Sequence, residues 1–249
     1  MTYELIEVEV EGPVATVRLN RPEALNALTV DMLIELGAAF TELSGRIDVA
    51  VVVLTGAGRA FSAGVDLKAL GGRPLDGGAV GDFLDIPARA VIDTITAMDA
   101  VVIAKVNGYC FTGALELALA CDLVVTADEA TIGDTHAQWG LRPSWGLSQR
   151  FPRAVGPARA RLLSYTARQF TGREAQEWGL AGLSCPLADL DVVVGEIASV
   201  IASHSHGARV AYKDLYRAAG TLPLPEGLAY EATTSYPIDD TEQRVARFR

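Results

Sequence analysis

Alternating apolar and polar residues mark the start of the chain as a pair of strands. Residues 3–10 and 14–19 alternate in this way on either side of Glu11-Gly12-Pro13, a turn sequence. This pattern predicts an antiparallel hairpin. The following residues change to helical spacing, and Thr29 or Asp31 can cap an amphipathic helix that runs to about Leu43.

The middle of the chain alternates strands and helices. Residues 49–54 form a continuous apolar, β-branched run, which is typical of a strand buried on both faces. Further strands are predicted at 101–106 and 123–126, helices at 83–98 and 113–120, a glycine-rich loop at 56–64, the start of a short helix at 66–68, and a mobile Gly/Pro-rich loop at 71–81. This order favours a mainly parallel sheet covered by helices.

Beyond Pro157 the pattern is helical. The predicted helices are 158–164, 173–178, 187–203, 208–219 and a tail from about 226. There is no internal repeat or low-complexity linker. We therefore predict an α/β core over residues 1–190 and a helical C-terminal region over residues 191–249, which packs on a neighbouring subunit.

Composition narrows the class of protein. Half of the 249 residues are hydrophobic, which indicates a well-packed globular chain. The net charge of −10 argues against a nucleic-acid partner, although a local cationic patch could still bind an anionic ligand. No apolar stretch approaches the roughly 18 to 20 residues of a membrane span, and the N-terminus lacks the layout of a signal peptide. Three sparse cysteines, Cys110, Cys121 and Cys185, fit a reducing cytoplasm.

One carboxylate, Glu116, lies inside the apolar run that follows the strand at 101–106. A buried lone carboxylate costs several kcal/mol unless it is paired or its pKa rises. Such a cost is tolerated for a buried ion pair or for chemistry. Because the free N–H groups at a helix start can receive a developing negative charge, a carboxylate one turn further on suggests an acid/base group beside an anion hole.

These residues resemble the crotonase (enoyl-CoA hydratase/isomerase) superfamily over nearly the whole chain. The landmarks are Asn20-Arg21-Pro22 with Asn26-Ala27-Leu28, then the segments 54–67, 106–122, 145–152 and 171–180. Each segment is modest evidence alone, but five in the family's order and spacing indicate the fold. The resemblance implies an α/β spiral of ββα units, assembled as a homotrimer or a dimer of trimers.

The resemblance also implies a reaction. The family stabilises the enolate of a coenzyme A thioester with two backbone N–H groups, which by motif position are those of Val65 and Gly113. The local chemistry agrees, since Gly64 allows a sharp turn and Gly113 opens a helix whose dipole favours an oxyanion. No cofactor is implied beyond the coenzyme A of the substrate, and the expected partner is an acyl-CoA thioester.

Glu116 matches the first of two acid/base glutamates of the hydratases, and His136 occupies the position of the second. Histidine can transfer a proton near neutral pH but differs in reach and charge. Hydration of a 2-enoyl-CoA is the leading hypothesis, with Glu116 positioning and deprotonating water and His136, or a water that it holds, delivering a proton to the α-carbon. Isomerisation, thioester hydrolysis, decarboxylation and acyl-CoA binding without catalysis remain open alternatives.

Further residues are expected around the substrate. Ala63, Lys68 and Lys213 are candidate contacts of coenzyme A, with solvated surface charges as the alternative for both lysines and for the nearby Arg59. Ser144 stands where the family often has glycine. It could hold a water or a substrate carbonyl, or cap the helix that follows. Trp139 and Trp145 are expected to shape an apolar wall.

Other kinds of site are less well supported by the sequence. Gly56-Ala57-Gly58 follows a strand but lacks the third glycine and the helix start of a dinucleotide site. Asp134 and His136 could bind a metal, yet no third ligand stands at a recognisable spacing, so no metal is expected. His136 could equally be a buried, hydrogen-bonded structural histidine. A Gly-x-Ser-x-Gly elbow is missing, which argues against a serine hydrolase.

Overall fold

The computed structural model describes residues 3–72 and 75–248. The strands in this part of the chain are β1 Ile6–Glu11, β2 Val14–Leu19, β3 Val51–Gly56, β4 Ala60–Ser62, β5 Val101–Val106, β6 Tyr109–Phe111, β7 Leu123–Ala127, β8 Thr131–Gly133, β9 Phe170–Thr171 and β10 Leu183–Cys185. The α-helices are α1 Val30–Ser44, α2 Asp82–Ala97, α3 Gly113–Ala118, α4 Leu147–Val155, α5 Pro157–Thr166, α6 Gly172–Glu177, α7 Leu190–Ser203, α8 His206–Ala219, α9 Leu224–Thr233 and α10 Thr241–Val245.

The larger sheet has six strands in the order β1-β2-β3-β5-β7-β10. Only the β1–β2 hairpin is antiparallel, and the remaining neighbours run parallel. All six residues of β3 are buried, as their unbroken apolar character predicts. Helices α1 and α2 pack against each other, and α1 also contacts β1 and β2. The hydrophobic core therefore lies between this sheet and its helices.

The smaller sheet is made of short strands in the order β4-β6-β8-β9. Strands β4, β6 and β8 run parallel, and β9 is antiparallel to β8. Each of the three parallel strands follows a strand of the larger sheet and precedes an α-helix, so the chain repeats a ββα unit three times. Because the carboxyl ends of parallel strands meet at one edge, the residues that follow β4, β6 and β8 come together there.

Most expected elements are confirmed, and several details are corrected. The hairpin is present, and Thr29 caps α1 by accepting a hydrogen bond from the amide of Met32 at 3.2 Å. Residues 66–68 form a turn instead of a short helix, and the helix expected at 113–120 ends at Ala118. Part of the loop expected to be mobile, 73–74, lies outside the described residues. The strands of two or three residues are not predicted by the sequence pattern, and α4 is expected only as a helix after Ser144, without bounds.

The C-terminal helices differ in how deeply they pack. Helix α7 contacts β2, β3, β5 and β7 and buries Leu190, Val194 and Ala198. Helix α8 buries only Ala211, and α9 and α10 bury no residue. Within residues 3–72 and 75–248, no helix combines the length and apolar character needed to cross a membrane.

Candidate active site

Two buried or half-buried asparagines hold the loop that leads to Val65. The side-chain amide of Asn26 donates to the carbonyl oxygens of Ala57 and Ala60, at 2.9 and 2.8 Å. The amide of Asn107 donates to the carbonyls of Gly56 and Gly58, both at 2.9 Å. These bonds satisfy backbone groups that a loop would otherwise leave unpaired. The loop between β3 and Val65 is therefore fixed by contacts from two distant parts of the chain.

The backbone on both sides of Val65 is hydrogen-bonded, whereas its own amide is not. The amide of Leu28 donates to the carbonyl of Gly64 at 2.8 Å, and the amide of Asp66 donates to the carbonyl of Leu28 at 3.0 Å. Among the residues that the structure describes, none accepts a hydrogen bond from the Val65 amide. The geometry thus leaves one oriented N–H group for a ligand.

The turn after β6 is strained and presents a second amide. Thr112 has φ of +48°, which a β-branched residue rarely adopts and which costs about 1–3 kcal/mol. Gly113 follows as the first residue of α3, and its amide has no acceptor within the described part of the chain. A Cβ atom on Gly64 would lie 2.1 Å from Oγ1 of Thr112, so the two turns are in close contact. The pairing of β4 with β6 places Val65 and Gly113 at the same sheet edge.

Glu116 lies one turn into α3 and is 2% exposed. Its Oε1 accepts hydrogen bonds from the backbone amides of Trp145 and Leu147, both at 2.9 Å. Its Oε2 faces His136, whose Nε2 is 3.8 Å away. Burial raises the pKa of Glu116 above its ordinary value, and the amide of Leu147 and the imidazole of His136 only partly oppose this rise. One carboxylate oxygen is therefore fixed by backbone amides, and the other faces the imidazole of His136.

His136 follows β8 and is 7% exposed. Its Nδ1 lies 2.7 Å from Oδ1 of Asp134, which also accepts the backbone amide of His136 at 3.2 Å. Burial alone would raise the pKa of Asp134, but hydrogen bonds from His136 and Ser164 outweigh it and lower that pKa. Because an ionised Asp134 accepts the proton on Nδ1, it directs Nε2 toward Glu116. The structure thus brings Glu116 and His136 together, as the motif positions predict.

The loop that holds Glu116 is itself tied to α2 by a buried carboxylate. Oδ1 of Asp85 accepts hydrogen bonds from Oγ of Ser144 and Nε1 of Trp145, both at 2.7 Å. The expectation that Ser144 caps the next helix is wrong. Helix α4 begins at Leu147, the N-cap position before it is Gly146, and no side chain caps this end of the helix. Trp145 is buried against Gly113, as expected of an apolar wall, whereas Trp139 is 55% exposed.

The candidate coenzyme A contacts lie in two different places. Ala63 and Lys68 flank Val65. The side chain of Lys68 is exposed and forms no ion pair with any residue that the structure describes. Arg59 lies 5.7 Å from the ring centre of Tyr109. Lys213 lies elsewhere, where its ammonium group donates to the carbonyls of Ile95 and Ala100 and to Asp122. Its contact with coenzyme A stays a prediction, although here it joins α8 to the end of α2.

Across residues 3–72 and 75–248, no group of three or more histidine, cysteine, aspartate or glutamate side chains has an arrangement that could bind a metal. The paired side chains of Glu116 and His136 and the two free amides are instead the features that this edge of the small sheet presents. Such an arrangement suits chemistry on a carbonyl compound, with the amides on the oxygen and the pair moving protons.

The comparison with known proteins agrees with this geometry. The model of the enoyl-CoA hydratase/isomerase family matches residues 9–246. The chain belongs to this family. A probable enoyl-CoA hydratase of Mycobacterium tuberculosis is 34% identical over 251 residues, which cover 100% of this chain and 96% of that protein. The solved structure of an enoyl-CoA hydratase from Bacillus anthracis is 33% identical, with a TM-score of 0.87 over 92% of this chain and 88% of that one.

Two positioning residues of this family member are not identified by sequence reasoning as such. Asp134 is noticed only as a candidate metal ligand, although its place two residues before His136 is a local signal for a partner of the ring. Asp85 gives no local signal, because its partners Ser144 and Trp145 lie 59 and 60 residues further along the chain. Only the folded structure brings these groups together.

The raised pKa of Glu116 leads to a stability prediction. A carboxyl with a raised pKa binds its proton more tightly in the folded protein, so its contribution favours folding at low pH. This contribution is lost as the pH rises from the pKa of the unfolded chain, about 4.3, through the pKa of the folded protein. The loss is about 1.4 kcal/mol for each unit by which the two pKa values differ. We expect the melting temperature of Glu116→Gln to rise relative to that of the wild type as the pH increases above about 4.

The control for this measurement is Glu9→Gln, at an exposed position of β1. Its melting temperature should follow that of the wild type across the same range. If the Glu116→Gln and wild-type curves also run parallel, ionised Glu116 costs the fold nothing and its raised pKa is contradicted.

Asp134→Asn is expected to lower kcat/KM about tenfold. A positioned acid/base group typically supplies roughly 10²–10⁴-fold in rate, and loss of the residue that orients it should remove only part of this. An asparagine can leave the imidazole in the wrong tautomer, so KM should change little while kcat falls. Steady-state kinetics checks this, with the exposed Asp93→Asn as control. Unchanged kcat together with a lower melting temperature would mean that Asp134 is purely structural.

Proposed function

We propose that this chain hydrates a 2-enoyl-CoA to a 3-hydroxyacyl-CoA. The observation that carries the proposal is the arrangement of Glu116, whose Oε1 is held by two amides while Oε2 lies 3.8 Å from Nε2 of His136. This separation is close enough for one water to hydrogen-bond to both side chains. Membership of the enoyl-CoA hydratase/isomerase family and similarity to a probable enoyl-CoA hydratase support the same reaction class.

In the proposed reaction the amides of Val65 and Gly113 donate to the thioester oxygen. Oε2 of Glu116 takes a proton from water as the water oxygen bonds to the β-carbon. The electron pair of the double bond then moves onto the thioester oxygen, where an amide donor is worth about 2.7–4 kcal/mol. Protonated His136 gives its Nε2 proton to the α-carbon. Transfer of the proton from Glu116 to His136 restores both groups.

The test is the loss of the conjugated enoyl-thioester absorbance, with mass analysis of the product. Crotonyl-CoA and longer enoyl-CoA thioesters should each gain the mass of one water. The Glu116→Gln variant should lose this activity, and the exposed Glu9→Gln variant should keep it. Absence of turnover with every chain length would reject the proposal.

The same product analysis separates the alternatives within the family. A shifted double bond at unchanged mass indicates isomerisation, free coenzyme A indicates thioester hydrolysis, and loss of carbon dioxide from a carboxylated thioester indicates decarboxylation. Tight binding with no product indicates an acyl-CoA-binding protein. Hydration is favoured because the buried Glu116 and the facing His136 form a pair that a binding protein does not need.

We further propose that the chain assembles as a homotrimer or a dimer of trimers in the cytoplasm, with residues 191–249 at the contacts. Exposed large apolar side chains along α7 to α9 support this assembly, among them Val200, Tyr212, Tyr216 and Leu228. The three cysteines are free, in keeping with a reducing compartment. Sedimentation equilibrium tests the assembly, and a monomer at micromolar concentration would contradict it.

A further inference from the structure

One cavity of the protein has a volume of about 440 Å³. It lies among the turn that carries His136, helix α4 and helix α5. Its volume falls within the roughly 300–1,000 Å³ of small-molecule sites. His136 forms part of its wall, and Leu141, Leu147 and Phe151 supply apolar surface. The cavity therefore adjoins His136 and can take an apolar chain.

Two arginines, Arg142 and Arg161, also line this cavity. The only carboxylate among its lining residues is Asp134, which is committed to His136 and Ser164. The cavity is therefore cationic, although the chain as a whole has a net charge of −10. Such a local field favours an anionic group.

Neither arginine has a partner in the described part of the chain. Most of the other described arginines donate to a carboxylate or a carbonyl, as Arg21 does to Asp66 and Arg89 does to Asp85. The side chains of Arg142 and Arg161 make no hydrogen bond, ion pair or ring contact. Among described arginines only Arg247 is like them, and it does not line the cavity. The backbone amide of Arg142 donates to the carbonyl of Gly78 at 2.9 Å, which holds the residue in place while its guanidinium has no partner in the described part of the chain.

We propose that this cavity binds the distal end of an acyl group that carries a carboxylate, with Arg142 and Arg161 as its partners. The proposal rests on the proposed acyl-CoA function and names its substrate class as ω-carboxyacyl-CoA thioesters. The methylene chain packs on the apolar wall beyond His136, and the two guanidinium groups bind the terminal carboxylate. Arginine suits this role because its planar fork matches a carboxylate.

The test uses saturated thioesters, which cannot be hydrated, so it measures binding independently of turnover. Calorimetry compares glutaryl-CoA with pentanoyl-CoA and adipoyl-CoA with hexanoyl-CoA, pairs that differ at the distal end. The wild type should bind the carboxylate-ended member about tenfold more tightly, and added salt should reduce this preference. In the Arg142→Gln/Arg161→Gln double variant, binding of hexanoyl-CoA should stay unchanged and the preference should disappear.

The matched control is Arg247→Gln, which removes an equally unpaired charge away from the cavity and should keep the preference. Equal binding of the paired thioesters by the wild type, or a preference that survives in the double variant, overturns the inference but leaves enoyl-CoA hydration standing. If none of the thioesters binds, the inference and the proposed function both fail. A preference for the carboxylate-ended thioesters without hydration of any enoyl-CoA supports the inference and rejects hydration.

Discussion

Glu116→Gln is expected to lower kcat/KM for an enoyl-CoA by about 10²–10⁴-fold, the typical contribution of a positioned acid/base group. Glutamine keeps an oxygen that can accept the amides of Trp145 and Leu147, so the loop should stay in place. The lost function is the uptake of a proton at the Oε2 position. Single-turnover kinetics measures this loss apart from product release.

The binding of a saturated acyl-CoA provides the control for this variant. We expect its dissociation constant to change by less than about twofold, since the amides of Val65 and Gly113 are untouched. Glu9→Gln should retain wild-type rates. A Glu116→Gln enzyme with undiminished turnover would remove Glu116 from the reaction.

Gly64→Ala is the second substitution with a large expected effect. Gly64 has φ of +87°, and a Cβ atom there would lie 2.1 Å from Oγ1 of Thr112 and 2.7 Å from the carbonyl oxygen of Phe111. The loop must move away from the turn before Gly113, and the Val65 amide moves with it. We expect kcat to fall by about 10²–10³-fold, the effect of losing one donor to an oxyanion.

Gly12→Ala is the matched control, because Gly12 also has a positive φ, +57°, but no atom lies within 4 Å of the added Cβ. It should lose about 1–2 kcal/mol of stability from backbone strain alone and keep its activity. Circular dichroism establishes the folded fraction of each variant, and rates are compared per folded molecule. A folded Gly64→Ala enzyme with wild-type kcat would contradict the role of the Val65 amide.

The fold is well predicted wherever the sequence pattern extends over a full element. The hairpin, α1 and β3 have enough residues for their apolar spacing to be unambiguous. Strands β4, β6 and β8 have three residues each and follow another strand closely, so no periodicity can reveal them. Their pairing depends on long-range contacts. Examples are the hydrogen bonds of Asn26 and Asn107, which hold the segment between β3 and β4.

The candidate site is predicted in part, for a similar physical reason. Glu116 is visible because a charge in an apolar run is costly, and Val65, Gly113 and His136 follow from motif positions, although their roles stay proposals. Asp85 is invisible in the sequence, because its partners are distant and a carboxylate at a helix start is ordinary. The strained φ of Thr112 is also invisible, because threonine seldom adopts it.

The three ββα units contribute different groups to the candidate site. The amides that would polarise the carbonyl follow β4 and β6, while the proposed proton donor His136 follows β8. A change after β8 can redirect a proton without disturbing the polarising groups. A single substitution at position 136 can thus change the reaction of such an architecture while the amides that face the thioester oxygen stay in place.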